Sequence, residues 1–192
     1  TALTSGSAEP EAAKEKELLI EKKYGFVSVC MGDGISEMFR DVGVDNIITG
    51  GQTMNPSTQD IIDAVINTPS EYVFVLPNNK NICMVAKQAA EIITERKVIV
   101  VPTETVPQGM AAMIAYNPDA EPEEVEADMN DASKMVTSMS VTYAVRSTHI
   151  DGFKLKEGDI IGLNDKNIIA KGIARPAQTT NGHQVPVTIQ NT

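Results

Sequence analysis

Between Tyr24 and Asn117 the chain alternates short β-rich apolar runs with longer stretches whose apolar residues recur three and four positions apart. "YGFVSVC" (24–30) reads as a strand. After it, "GDGISEMFRDVG" places Ile35, Met38, Phe39 and Val42 at helical spacing, with Gly43 as the stop. "DNIITGG" (45–51) is the next strand. "NPSTQDIIDAVINT" then sets Ile61, Ile62, Val65 and Ile66 on one helical face, with Asn55 or Ser57 as cap and Pro56 in the first turn. "YVFVLP" (72–77) is apolar without interruption, the pattern of a strand buried on both faces. A helix over "NNKNICMVAKQAAEII" turns Ile82, Val85, Ala86, Ala89 and Ile93 inward, "KVIVVP" (97–102) is a fourth strand, and "TVPQGMAAMIAY" opens a fourth helix. Strands alternating with helices over this many units predict an α/β fold: a Rossmann-like parallel sheet sandwiched by helices, with right-handed crossovers.

Beyond Asn117 the rhythm changes. "DAEPEEVEADMNDASKMVTS" reads as an acidic surface helix, and "SMSVTYAVRS" (138–147) alternates as a strand. "THIDGFKLKEGDIIGLNDKNIIAKG" reads as short antiparallel strands joined by Gly and Asp turns. The expected organisation is a linker or tag over 1–21, a parallel-sheet α/β domain over 22–135, a small antiparallel β extension over 136–172, and an irregular tail over 173–192. Within that tail, "VPVTI" has the pattern of an edge strand. The opening "TALTSGSAEPEAAKEKE" starts at Thr1 and lacks the apolar centre of a signal peptide, so a fragment of a longer protein is expected.

Composition narrows the function classes. The net charge of −10 argues against a nucleic-acid surface and against a polybasic membrane-binding surface. No apolar run approaches the ~20 residues that span a bilayer. Aromatics are 4% with no Trp, so the core must rest on Ile, Val, Met, Ala and Leu. Cys30 and Cys83 sit inside apolar stretches and read as two buried thiols in a reducing, cytoplasmic setting. With only His149 and His183, and no Cys-x-x-Cys, zinc has little to bind.

In an open parallel sheet, ligands sit beyond the carboxyl ends of the strands, where helix N-termini present free N–H groups. Four loops meet this rule: 31–34, 50–59, 77–81 and 102–109. Three of them carry short polar side chains: Gln52, Thr53, Asn55, Ser57, Thr58 and Gln59 after Gly50 and Gly51; Asn78, Asn79 and Asn81 around Lys80; and Thr103, Thr105 and Gln108. Such groups hydrogen-bond an anion without competing as nucleophiles; equally, they cap helices and turns. Lys80 reads either as a partner for an anion or an acidic surface, or as a solvated lysine. "GDGIS" follows a strand and opens a helix, but it matches neither the dinucleotide nor the P-loop fingerprint. No nucleophile–base pair stands out: His149 and Asp151 could form a dyad or a turn, and both lie outside the polar loops.

The run "YGFVSVCMGDGISEMFRDVGVDNIITGGQTMNPSTQDI", with "VLPNNKNI" and "VPTETVPQGMAAM", resembles the C-terminal region of the catalytic polypeptide of bacterial fatty acid kinase, one of the dihydroxyacetone-kinase-like proteins. The resemblance covers roughly residues 22–172. It implies a division of labour in which a separate N-terminal domain binds ATP and magnesium through clustered aspartates. A region like this one helps engage the DegV-type carrier that presents the fatty acid, and the product is an acyl-phosphate for phospholipid synthesis. The aspartate cluster is absent from this chain, so no cofactor and no catalysis are expected of it alone; ATP and Mg belong to the kinase domain. The resemblance implies a further α/β segment as the usual continuation; after Gly172 this chain runs instead into "ARPAQTTNGHQVPVTIQNT", so either the fragment is truncated or this member departs from the pattern.

A second similarity is to the first lobe of DegV-type fatty-acid-binding proteins. Gln52 to Ser57, Asn78 to Asn81 and Thr103 to Thr105 occupy the places of the loops that receive the fatty acid carboxylate in those proteins. Here a small glycine-rich loop is replaced by the bulkier Asn78-Asn79-Lys80-Asn81, which implies a ligand rim reused to contact or position a partner. The leading expectation is a non-catalytic domain that docks a DegV-type carrier alongside the other domains of the same kinase. The alternative is an α/β domain holding a fatty acid or other anion at 50–59, 78–81 and 103–108.

Overall fold

Four of the apolar runs pair side by side in a computed structural model that describes residues 20–51, 54–150, 152–164 and 167–172. They are β1 (Lys22–Cys30), β2 (Asn46–Thr49), β3 (Ser70–Leu76) and β4 (Lys97–Val100), all parallel, in the order β2-β1-β3-β4. Val27 lies between Asn46 and Val75, and Val75 in turn pairs with Val100. Five helices follow the predicted rhythm: α1 (Asp33–Asp41), α2 (Thr58–Ile66), α3 (Lys80–Ile92), α4 (Val106–Ile114) and α5 (Pro122–Lys134).

Side chains alternate across a strand, so each central strand feeds two cores. Tyr24, Phe26 and Cys30 of β1, with Phe74 and Leu76 of β3, pack against Phe39 of α1, Ala112 and Met113 of α4, and Val125 and Met129 of α5. Val27, Val29, Val73 and Val75 meet Ile61 and Val65 of α2 and Ile82, Ala86 and Ala89 of α3 on the other face. Val73 to Leu76 are completely buried, as the unbroken run predicts. Six of the eight aromatics gather in the first layer, where Phe26 stacks on Phe74 at 5.6 Å between centroids and meets Tyr116 edge-on at 4.6 Å. The Tyr24 hydroxyl donates to the Ala120 carbonyl, tying β1 to the turn before α5.

Three local expectations change. Met38 is about half exposed rather than inward, because α1 buries Phe39 and rests Ile35 and Val42 against the core, leaving Met38 off that stripe. Ser57 is the N-cap of α2 and the helix starts at Thr58, so buried Pro56 precedes the cap instead of occupying the first turn. The acidic helix α5 is a surface helix on one side only: Pro122, Val125, Met129 and Ser133 are buried, while Glu123, Glu124, Asp128 and Asp131 face out.

The extension is antiparallel. β5 (Met139–Tyr143), β8 (Ile160–Asn164) and β9 (Asn167–Gly172) form a three-stranded sheet in the order β5-β8-β9; β6 (Thr148–Ile150) pairs with β7 (Phe153–Leu155). Ala144, Leu155, Ile161 and Ile168 make a small core. Buried Asp159 accepts the Lys156 backbone N–H at 2.7 Å and pairs with Lys171 at 3.0 Å, and these two contacts hold its carboxyl below the usual carboxylate range. Residues 1–19 and the 173–192 tail with its "VPVTI" segment lie outside the described residues. Among the described residues, no helix is long and apolar enough to cross a membrane.

Candidate functional site

The carboxyl edge of the parallel sheet brings the predicted loops together, since β2, β1, β3 and β4 are neighbours and all end there. Their polar side chains, however, are largely engaged within the chain. Gly50 continues the ladder by donating to the Cys30 carbonyl, and a Cβ there would lie 2.9 Å from Pro56 Cδ and 3.0 Å from the Met54 carbonyl. The first glycine is therefore required by the turn. Gly51 donates to the Met54 carbonyl, and a Cβ there would meet only Met31. Gln52 and Thr53 lie outside the described residues; Asn55 is exposed.

Ser57 caps α2 through a capping box. Its hydroxyl accepts the Asp60 N–H at 3.2 Å, and the Asp60 carboxylate accepts the Ser57 hydroxyl and N–H at 2.8 and 2.7 Å. These bonds, the hydroxyl first, hold the Asp60 carboxyl below its ordinary range. Asn79 caps α3, its side-chain oxygen accepting the Asn81 N–H at 2.9 Å. Thr105 caps α4 and shares a 2.6 Å hydrogen bond with the Ser138 hydroxyl, which joins the β extension to the rim. Gln108 accepts the Glu104 N–H at 2.7 Å. The α1 N-terminus, at Gly32, has no side-chain cap, and Asp33 stands in its first turn.

Asn78 and Thr103 lie beneath the rim. Asn78 is 8% exposed and holds φ 53°, a left-handed conformation that Asn tolerates. Its amide donates to Ser28 Oγ and to the Val29 carbonyl, both at 3.0 Å, and its backbone N–H donates to Thr103 Oγ1 at 3.1 Å. One residue thus ties the ends of β1 and β3 to the segment leading into α4. Its side-chain oxygen lies against Gly109, where an added Cβ would stand 2.0 Å away. That oxygen has no hydrogen-bond partner among the described residues.

What remains facing outward is Asn55, Lys80 and Asn81, together with a feature the polar-loop reasoning missed: three exposed methionines. Met31 follows β1, Met54 closes the Gly51 turn, and Met84 stands one turn along α3 from Lys80 on the same face; they are 48%, 67% and 69% exposed. The available signal was Met54 itself, an apolar residue set between turn-forming polar ones.

The rim offers little chemistry of its own. Burial, and then Glu104, push the Cys83 thiol up, away from the reactive thiolate. His149 is exposed on β6, away from these loops in sequence, and Asp151 lies outside the described residues. Among the described residues, no group of three or more His, Cys, Asp or Glu could hold a metal ion. Asp33, Asp60 and Glu104 make the helix starts acidic, with Lys80 as the opposing charge at the α3 start.

Residues 25–181 match the family described as FakA-like, C-terminal, the C-terminal part of a fatty acid kinase. Protein YloV of Bacillus subtilis is 48% identical over 163 residues, which is 85% of this chain and 29% of that protein. An uncharacterised protein of Staphylococcus epidermidis is 43% identical over 143 residues, 74% of this chain and 26% of its own length. The chain therefore spans less than a third of these relatives. Among solved structures, a DegV family protein from Corynebacterium glutamicum superposes with a TM-score of 0.51 over 76% of this chain and 65% of that one; at 16% identity this likeness concerns the fold alone. The α/β sheet with its carboxyl-edge rim and the match over most of the chain agree: the protein belongs to the FakA-like C-terminal family of fatty acid kinases.

Proposed function

We propose that this chain is a non-catalytic docking domain of a fatty acid kinase. It engages a DegV-type fatty-acid-binding carrier, so that an ATP-binding domain elsewhere in the longer protein can convert the presented fatty acid to an acyl-phosphate for phospholipid synthesis. One observation carries this reading: the rim uses its short polar side chains on its own helix starts and leaves Met31, Met54 and Met84 exposed. Unbranched, polarizable methionines adapt to a partner's surface, and Met is enriched in protein interfaces.

A small anion is less well served. The N-terminal dipole of α2 already faces the Asp60 carboxylate, and that of α1 faces Asp33, so an incoming carboxylate would meet like charge. In this reading ATP and magnesium belong to the kinase domain elsewhere in the longer protein. Asp33 is the acidic residue of the Gly32-Asp33-Gly34 turn and, among the described residues, belongs to no cluster able to hold a metal ion. No step of the kinase reaction is assigned to this chain.

The competing reading, a fatty acid or other anion held directly at the rim, is separated by a ligand experiment. The purified chain is expected to carry no fatty acid on solvent extraction and to show no saturable rise in Tm with oleate. Co-purified fatty acid, or a Tm that climbs with oleate concentration, would make the rim a small-ligand site instead.

A further inference from the structure

β1 and β3 lie side by side, yet the chain leaves them in opposite directions. β1 runs through α1 to β2 at one edge of the sheet, and β3 runs through α3 to β4 at the other. The two helices cover opposite faces: Phe39 of α1 packs on one, Ile82 and Ala86 of α3 on the other. In open α/β sheets the crevice at such a topological switch point is where ligands bind. In this chain the crevice is filled by a side chain of its own, that of Asn78.

The β1–β3 register ends at Ser28 and Leu76, and the Asn78 carboxamide continues it. Its nitrogen reaches β1, donating to the Val29 carbonyl and to Ser28 Oγ, both at 3.0 Å. Ser28 is completely buried, as is Thr103, which accepts the Asn78 N–H. The oxygen end faces Gly109, whose own N–H is taken by the Thr105 carbonyl at 3.1 Å, leaving a Cα–H toward that oxygen. Two unfavourable features fall on this one residue. Among the described residues, Asn78 is the one non-glycine position with positive φ, and its buried oxygen has no hydrogen-bond partner. Both are tolerated where the side chain closes a gap that would otherwise leave the Val29 carbonyl and the Ser28 hydroxyl without the donor they share.

We propose that this crevice is a carboxamide site and that Asn78 is its tethered occupant. The polarity of the walls selects the ligand class. A primary amide brings N–H donors to the Val29 carbonyl, whereas a carboxylate of the same shape would set two acceptors against each other in a buried setting. The crevice is thereby shut to fatty acids and other anions, whatever the exposed rim above it engages. Acetamide, which is the asparagine side chain without its backbone, is the matching free ligand.

Asn78→Gly, which keeps the positive φ accessible, should empty the site. Its Tm should fall and then recover in millimolar acetamide along a saturable curve, while acetate at equal ionic strength leaves it unchanged. The wild-type chain should respond to neither. Adding Gly109→Ala to Asn78→Gly should weaken the acetamide response at least about tenfold, because the methyl takes the place of the amide oxygen. In the chain without substitutions, the Asn78 carboxamide protons should exchange with solvent at least about a hundredfold more slowly than those of exposed Asn55 and Asn81. Recovery of Asn78→Gly by acetate or oleate instead of acetamide would make the crevice an anion site and overturn the proposal. So would an Asn78→Gly chain indifferent to acetamide, a response that survives Gly109→Ala, or Asn78 protons that exchange as fast as the exposed ones.

Discussion

Gly109→Ala should destabilise the chain by roughly 2–3 kcal/mol, although helix propensity alone favours alanine by about 1 kcal/mol. The added methyl would stand 2.0 Å from the Asn78 side-chain oxygen and 2.8 Å from its Cγ. Asn78 has nowhere to go. Its amide is held by Ser28 and Val29, its backbone by Thr103, and its φ of 53° excludes a simple rotation of the turn. Either those buried hydrogen bonds break, at about 1 kcal/mol or more each, or α4 lifts its buried Ala112 and Met113 from the sheet. In a protein of this size the change amounts to a fall in Tm of about 5–10 °C. Asn78→Gly removes the obstruction and tolerates the positive φ, so Gly109→Ala made in that background should be neutral or stabilising. Urea denaturation of the four proteins of this cycle measures the inversion of sign. Gly109→Ala that stabilises the wild-type background would show that the two residues are not in contact.

The second large effect concerns binding rather than stability. Met54→Glu and Met84→Glu place charge at side chains that are about two-thirds exposed, so each should leave Tm within about 1 °C of wild type. Each should nevertheless weaken carrier binding tenfold or more, about 1.4 kcal/mol, because an apolar contact becomes a desolvated carboxylate. Lys80→Ala should act differently, lowering the association rate and its salt dependence more than the affinity. Asn79→Ala is a poor probe of docking: removing the α3 cap costs about 1 kcal/mol of stability whether or not the residue touches a partner. Affinity unchanged in both methionine variants would take the rim out of the interface.

Adjacent residues of the same type show where the sequence stops being informative. Asn78 and Asn79 are indistinguishable by composition, yet the left-handed turn at Asn78 drives its amide under the sheet edge while Asn79 caps α3. Residue type announced that Ser57, Asn79 and Thr105 could hold something; only the backbone decides that they hold the amides of their own helices. The strands were more legible, because a run such as Tyr72 to Leu76 has no polar position to expose and must be central. Methionines were the least legible. Met113 and Met129 fill the core while Met54, Met84 and Met139 face solvent, and no local pattern separates the two sets until helix faces and strand edges are placed. Gly109 was equally silent, since its requirement comes from a side chain on another loop.

Isothermal titration of this chain with a DegV-type carrier from the same organism, with and without bound fatty acid, tests the docking role most directly. Saturable binding, weakened in Met54→Glu and Met84→Glu, is the expected result. Absence of binding by a chain that is folded, with oleate instead raising its Tm, would contradict docking and assign the rim to a small ligand.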